Sequence, residues 1–96
     1  MHAYVYVLLC ADGSYYVGST QKEPEQRTWE HNARLVEGYT SRRTPVKLMV
    51  AERYERLVDA FAREQQVKKW SRRKKEALIR GDYEALPDLA SRPKRA

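Results

Sequence analysis

Ninety-six residues allow one domain and one modest core. With 42% apolar and 33% charged residues, and aromatic and β-branched side chains recurring through the first two thirds, the chain is not a disordered polyampholyte. Nineteen Lys and Arg against thirteen Asp and Glu give a formal net charge of +6. One cysteine excludes an internal disulfide framework, and no apolar run approaches the roughly 20 residues of a membrane span.

The basic excess points to a polyanionic partner. The chain opens directly into a strand pattern, without a basic stretch followed by an apolar core. Cytoplasm and nucleic acid are the expected setting, with Cys10 a small buried hydrophobe.

Residues Ala3 to Cys10 (Ala-Tyr-Val-Tyr-Val-Leu-Leu-Cys) are continuously apolar or aromatic, the mark of a strand buried on both faces. Asp12-Gly13 supplies a turn, and Ser14 to Ser19 returns as a second strand, closing an antiparallel hairpin. Thr20 to Glu23 fits a capping box before Pro24, so a helix is expected to about Leu35, with Trp29, Ala33 and Leu35 turned at least partly inward and Gly38 at or just past its end. Residues 38–45 read as a polar loop carrying Arg42 and Arg43. Val46 to Tyr54 reads as a third strand.

A second helix is expected from Val58 or Asp59, with Leu57, Phe61 and Val67 on its apolar stripe. Ser71 suits the N-cap and Gly81 the C-terminus of a third, in which Ala77, Leu78 and Ile79 are apolar. From Asp82 the composition turns to Pro, Ser and basic residues, so 82–96 reads as a loosely held basic tail behind a domain at 1–81. The order β-β-α-β-α-α predicts an α+β fold, a three-stranded antiparallel sheet flanked by three helices.

Several residues exceed what folding requires. Glu64 falls at i+3 from Phe61 and i+7 from Leu57, which puts a carboxylate in an apolar stripe, where it needs a cation, a metal or a raised pKa. A stripe-edge glutamate reaching solvent, or a buried salt bridge, would equally account for it. Arg27 and His31, at i and i+4, share a helix face suited to phosphate, while Glu30 points elsewhere. Tyr4 and Tyr6 share one face of the first strand, and Tyr16 stands two residues before Gly18; a glycine inside a strand marks close approach of a backbone or ligand, so that tyrosine could put its hydroxyl into a cleft. The basic run of Lys68, Lys69, Arg72, Arg73, Lys74 and Lys75, with Arg42 and Arg43, suits sequence-independent phosphate contact. A solvated surface is the plainer reading of those charges. Two histidines and one cysteine suggest no zinc site.

In order, these residues resemble the GIY-YIG nuclease family, in its small standalone bacterial branch. Tyr4-Val5-Tyr6 stands where the family has Gly-Ile-Tyr, and Tyr16-Val17-Gly18 where it has Tyr-Ile-Gly. Arg27, the Glu-His-Asn at 30–32, and Glu64 follow as the family's arginine, histidine region and metal-binding glutamate. The first motif departs in beginning with Tyr4, and no asparagine follows Asn32. The resemblance implies metal-dependent hydrolysis of a nucleic-acid phosphodiester, DNA before RNA. Glu64 would hold one Mg²⁺ or Mn²⁺, Arg27 would offset phosphate charge, Tyr16 with Tyr6 would take a proton from water, and His31 would assist or position phosphate. The rival expectations are a non-catalytic DNA- or RNA-binding module with the same fold, and a small interaction domain whose charge serves solubility.

Overall fold

In the computed structural model, which describes residues 2–86, the order is β1 (Ala3–Leu9), β2 (Tyr15–Thr20), α1 (Pro24–Asn32), a 3-10 turn (Tyr39–Arg42), β3 (Lys47–Tyr54), α2 (Leu57–Lys68), α3 (Arg72–Arg80) and a 3-10 turn at Tyr83–Ala85. The strands form one antiparallel sheet in the order β2-β1-β3, as the hairpin and the strand count predict. β1 is central and covered on both faces, which is why its run has no polar alternation. Ala3, Val5 and Val7 join Val17, Ala60, Val67 and Leu78 under α2 and α3. Tyr6, Leu8 and Cys10 pack on the opposite side with Val46 and part of Tyr16. Cys10 is buried.

Ser71 caps α3 by accepting from the Lys74 backbone N–H, and Gly81 closes it in the left-handed region at φ +71°. The start of α1 differs from expectation. Thr20 Oγ1 accepts from Lys22 N–H in a local turn, and the N-cap is Glu23, which makes no side-chain cap bond. A proline at the first helical position fixes the start without the capping box. The helix also ends early. Arg34, at φ +60°, takes the position expected of Gly38, and Leu35 N–H closes the end on the Glu30 carbonyl.

Both amphipathic stripes differ from their predicted apolar members. Trp29 and Leu35 are exposed, and the residues that α1 buries are Pro24, Glu30 and His31. On α2 the inward stripe is Ala60, Arg63, Glu64 and Val67, while Leu57 and Phe61 face outward. Glu64 is thus buried as predicted, but beside different neighbours. Polar side chains occupy inward positions where they find partners, a pattern that hydrophobic periodicity alone does not detect. Arg63 donates to both carboxylate oxygens of Glu52 on β3, at 2.9 and 3.2 Å, and bolts α2 to the sheet. At the start of the segment expected to form a basic tail, Tyr83–Ala85 form a 3-10 turn and Leu86 is buried. The remainder of that segment lies outside the described residues. Among the described residues no helix is long and apolar enough to cross a membrane.

Candidate active site

Tyr6 and Gly18 are direct cross-strand partners on the face toward α1. The absence of a side chain at Gly18 lets the Tyr6 phenol lie across the edge strand β2. A Cβ at position 18 would stand 2.6 Å from the Tyr6 hydroxyl and 3.0 Å from the Tyr16 ring. The three motif residues therefore form one packed unit.

Behind the phenol stands His31, wholly buried. Its Nε2 lies 2.9 Å from the Tyr6 hydroxyl, and its Nδ1 lies 2.6 Å from Thr40 Oγ1. Burial, reinforced by the Arg27 charge, holds the imidazole below its ordinary pKa, so it is neutral at pH 7. Burial pushes the Tyr6 hydroxyl up to about 12, against the opposing hydrogen bond from Arg27. In the Nδ1–H tautomer of His31, protonated Tyr6 donates to Nε2 and Nδ1–H donates to Thr40 Oγ1. With both nitrogens engaged and no exposed surface, His31 does not reach a phosphate, so only its proton-handling role survives.

Arg27 is held by Glu30, whose carboxylate accepts from Arg27 Nη1 at 2.8 Å and from Lys22 Nζ at 2.6 Å. Those two cations hold the Glu30 carboxyl down at about 2. Glu30 therefore does not point away from the site, as the sequence suggested, but orients its arginine. The i,i+3 spacing of Arg27 and Glu30 was the available signal. Arg27 Nε–H is buried with no hydrogen-bond partner among the described residues.

Glu64 arrives from the other face. Val17 packs under α2, and alternation along β2 turns Ser19 the same way, so that its hydroxyl donates to Glu64 Oε1 at 2.5 Å. Lys68 Nζ, one helical turn on, sits 2.6 Å from Glu64 Oε2. The carboxylate lies near enough to Tyr6 to raise its pKa by charge. Edge strand β2 is thus where side chains from opposite faces converge. Among the described residues no group of three or more His, Cys, Asp and Glu could hold a metal. One carboxylate and a hydroxyl are hard oxygen donors. They fit a Mg²⁺- or Mn²⁺-type ion that takes its remaining ligands from water and a substrate phosphate.

The predicted basic residues are more dispersed. Arg42 ends the 3-10 turn, exposed. Arg43 lies over the Tyr39 ring and pairs with Asp12. Lys68 is committed to Glu64, and Lys69 is exposed beyond it. Arg72 donates to the Gly13 carbonyl and stacks over Tyr15. Arg73 and Lys74, with Ser71 and Arg80, line a cavity of about 310 Å³ beside α3. Lys75 is partly buried, which lowers its pKa. Tyr39 and Thr40, in what reads as a polar loop, had no signal in the sequence.

A tyrosine–histidine–arginine cluster and a glutamate from the opposite face thus converge on one edge of the sheet. The chain belongs to the GIY-YIG family, whose catalytic domain matches residues 2–77. It is 45% identical over 79 residues to a UPF0213 protein of Halobacterium salinarum, covering 82% of this chain and 100% of that one. A UPF0213 protein of Enterococcus faecalis is 42% identical over 79 residues, covering 80% and 89%. The solution NMR structure of a UPF0213 protein from Bacillus halodurans aligns with TM-score 0.54 at 36% identity, over 96% of this chain and 100% of that one. A second NMR structure, of an E. faecalis protein, aligns with TM-score 0.56 at 40% identity, over 84% and 85%. The family is generally one of nucleases that bind nucleic acid and use divalent metals, and these relatives' names state no activity.

Proposed function

We propose that the chain is a cytoplasmic, divalent-metal-dependent nuclease that hydrolyses a nucleic-acid phosphodiester, DNA before RNA. The observation that carries this reading is the Tyr6 hydroxyl 2.9 Å from a neutral His31 nitrogen, beside Arg27 and within electrostatic reach of Glu64. A buried core would have no need of that combination.

A phenol with a pKa near 12 is a poor base by itself. Tyr6 has a remedy behind it, because it can pass its proton to His31 Nε2 as it takes one from the attacking water. By accepting from Nδ1–H, Thr40 Oγ1 would hold the imidazole in the receptive tautomer. This moves the proton-accepting role from Tyr16 to Tyr6. Tyr16, half-buried in front with its ring 5.2 Å from that of His31, orients the water or the phosphate. Arg27, steadied by Glu30, turns its unpartnered Nε–H toward the phosphate and offsets the charge that grows there. Glu64 and Ser19 would hold a Mg²⁺ or Mn²⁺ ion, which would supply Lewis-acid stabilisation of the phosphate oxygens. The exposed lysines and arginines of α2 and α3 would carry the flanking backbone.

The test is incubation with labelled linear, nicked, branched and single-stranded DNA and with RNA, in Mg²⁺, Mn²⁺ or EDTA. Glu64→Ala and Tyr6→Phe proteins, checked for folding, run alongside. Cleavage that needs metal, Glu64 and Tyr6 is expected. Salt-sensitive binding with no product on any substrate would replace the nuclease by a non-catalytic binding module.

A further inference from the structure

The 3-10 turn Tyr39–Arg42 holds His31 through Thr40, but the mechanism above uses neither Tyr39 nor the adjoining Arg43. The Tyr39 ring stacks on Tyr16, with centroids 6.1 Å apart and planes 25° from parallel. The Arg43 guanidinium lies over the Tyr39 ring, its Cζ 3.8 Å from the centroid. A contiguous run of three planar groups therefore leads from the catalytic phenols to the surface. Tyr39 is 42% exposed and the Arg43 side chain 36%.

Arg43 is fixed in place. Its Nε donates to Asp12 Oδ2 at 3.0 Å and its Nη1 to the Tyr39 carbonyl at 2.7 Å. Its own backbone N–H donates to Thr40, and its carbonyl accepts from Ala11 N–H. The two side-chain bonds use two of the five guanidinium N–H donors and fix the group's orientation. The side chain keeps 36% of its surface exposed, and its position is set before any ligand arrives. Guanidinium planes and tyrosine rings stack on nucleobases, and a base inside a duplex is already stacked on its neighbours.

We infer that Arg43 and Tyr39 form a stacking platform for an unpaired nucleobase next to the scissile phosphate, so that the site selects nucleic acid with a single-stranded or extrahelical nucleotide over fully paired duplex. The inference rests on the nucleic-acid reading of the site and names its substrate class.

The test measures dissociation constants by fluorescence anisotropy in EDTA, where no cleavage occurs. One ligand is a fully paired duplex, and the other is the same duplex with a single-stranded extension. The wild-type chain is expected to bind the extended ligand about tenfold more tightly, in the range of one stacked base. Arg43→Lys, which keeps the charge and loses the plane, should abolish that preference and leave duplex affinity within about twofold. Tyr39→Leu, which removes the support beneath the guanidinium, should do the same, and thermal melting confirms that both proteins are folded. Equal weakening on both ligands would make Arg43 a simple phosphate contact and overturn the platform. Metal-dependent cleavage without preference for the extended ligand would also overturn it while leaving the nuclease intact. The preference without cleavage in Mg²⁺ or Mn²⁺ would keep the platform and remove the nuclease.

Discussion

Replacing Gly18 by alanine adds one methyl group at the centre of the site, and its effect can be worked from the structure. The new Cβ would stand 2.6 Å from the Tyr6 hydroxyl and 2.8 Å from Tyr6 Cζ. Reaching the 3.4 Å of ordinary contact requires the phenol to move by about 0.8 Å, the difference of those distances. Tyr6 has little room, being 1% exposed and bonded to His31. Overpacking of this kind costs about 1–3 kcal/mol, and loss of the buried hydrogen bond adds about 1 kcal/mol. At the low end, about 2 kcal/mol, the melting temperature of a domain this size should fall by roughly 8–16 °C. Activity should fall further than stability, by about 100-fold at temperatures where the protein stays folded, because a displaced catalytic group is that expensive. Thermal melting and single-turnover cleavage check the two parts. In a Tyr6→Phe background the hydrogen bond is already gone while the 2.8 Å contact with Cζ remains, so Gly18→Ala should be milder by only about 1 kcal/mol. A Gly18→Ala protein that melts within about 2 °C of wild type and keeps its rate would refute the reasoning.

Glu52→Ala removes the buried anion to which Arg63 donates and should destabilise the fold by about 3–5 kcal/mol in urea unfolding; a loss below about 1 kcal/mol would show that water readily replaces the carboxylate. Burial keeps the folded-state pKa of His31 below the ordinary value of about 6.5, so the folded state binds fewer protons than the unfolded one as the pH falls. The corresponding stability is complete above about pH 6.5 and is lost as the pH falls through the folded-state value. Urea midpoints from pH 7.5 to 5 should therefore decline in wild type and decline less in His31→Gln; parallel curves would remove His31 as the cause. Lys68→Met frees a Glu64 oxygen now 2.6 Å from an ammonium. Since a half-exposed pair is worth at most about 1 kcal/mol, Mn²⁺ should bind up to about fivefold more tightly by calorimetry, and unchanged affinity would mean that the lysine and the ion do not compete.

The hairpin was legible because its signals are local: an unbroken apolar run at Ala3–Leu9 and an Asp-Gly turn. The caps of α3 were legible for the same local reason. What the sequence obscured were the inward faces of α1 and α2. There Glu30, His31, Arg63 and Glu64 are buried because of partners 8 to 45 residues away, on other elements, or within their own helix. A periodicity reading looks for apolar residues and so places Trp29 and Phe61 inside. The motif order identified the site, but its wiring depends on Thr40, Ser19 and Tyr39, whose importance comes only from tertiary contacts.

The central strand divides two kinds of work between its alternate residues. Ala3, Val5 and Val7 are clamped under α2 and α3, whereas Tyr6 and Leu8 serve the side that holds His31. Variation along β1 should therefore show a two-residue rhythm: changes at odd positions lower protein abundance, and a change at Tyr6 mainly lowers turnover. A one-residue slip of β1 against its neighbours would exchange the two sets outright, leaving valines in the cleft and phenols under the helices. Register errors in this hairpin would thus abolish folding and function together, with no partly active intermediate to tolerate.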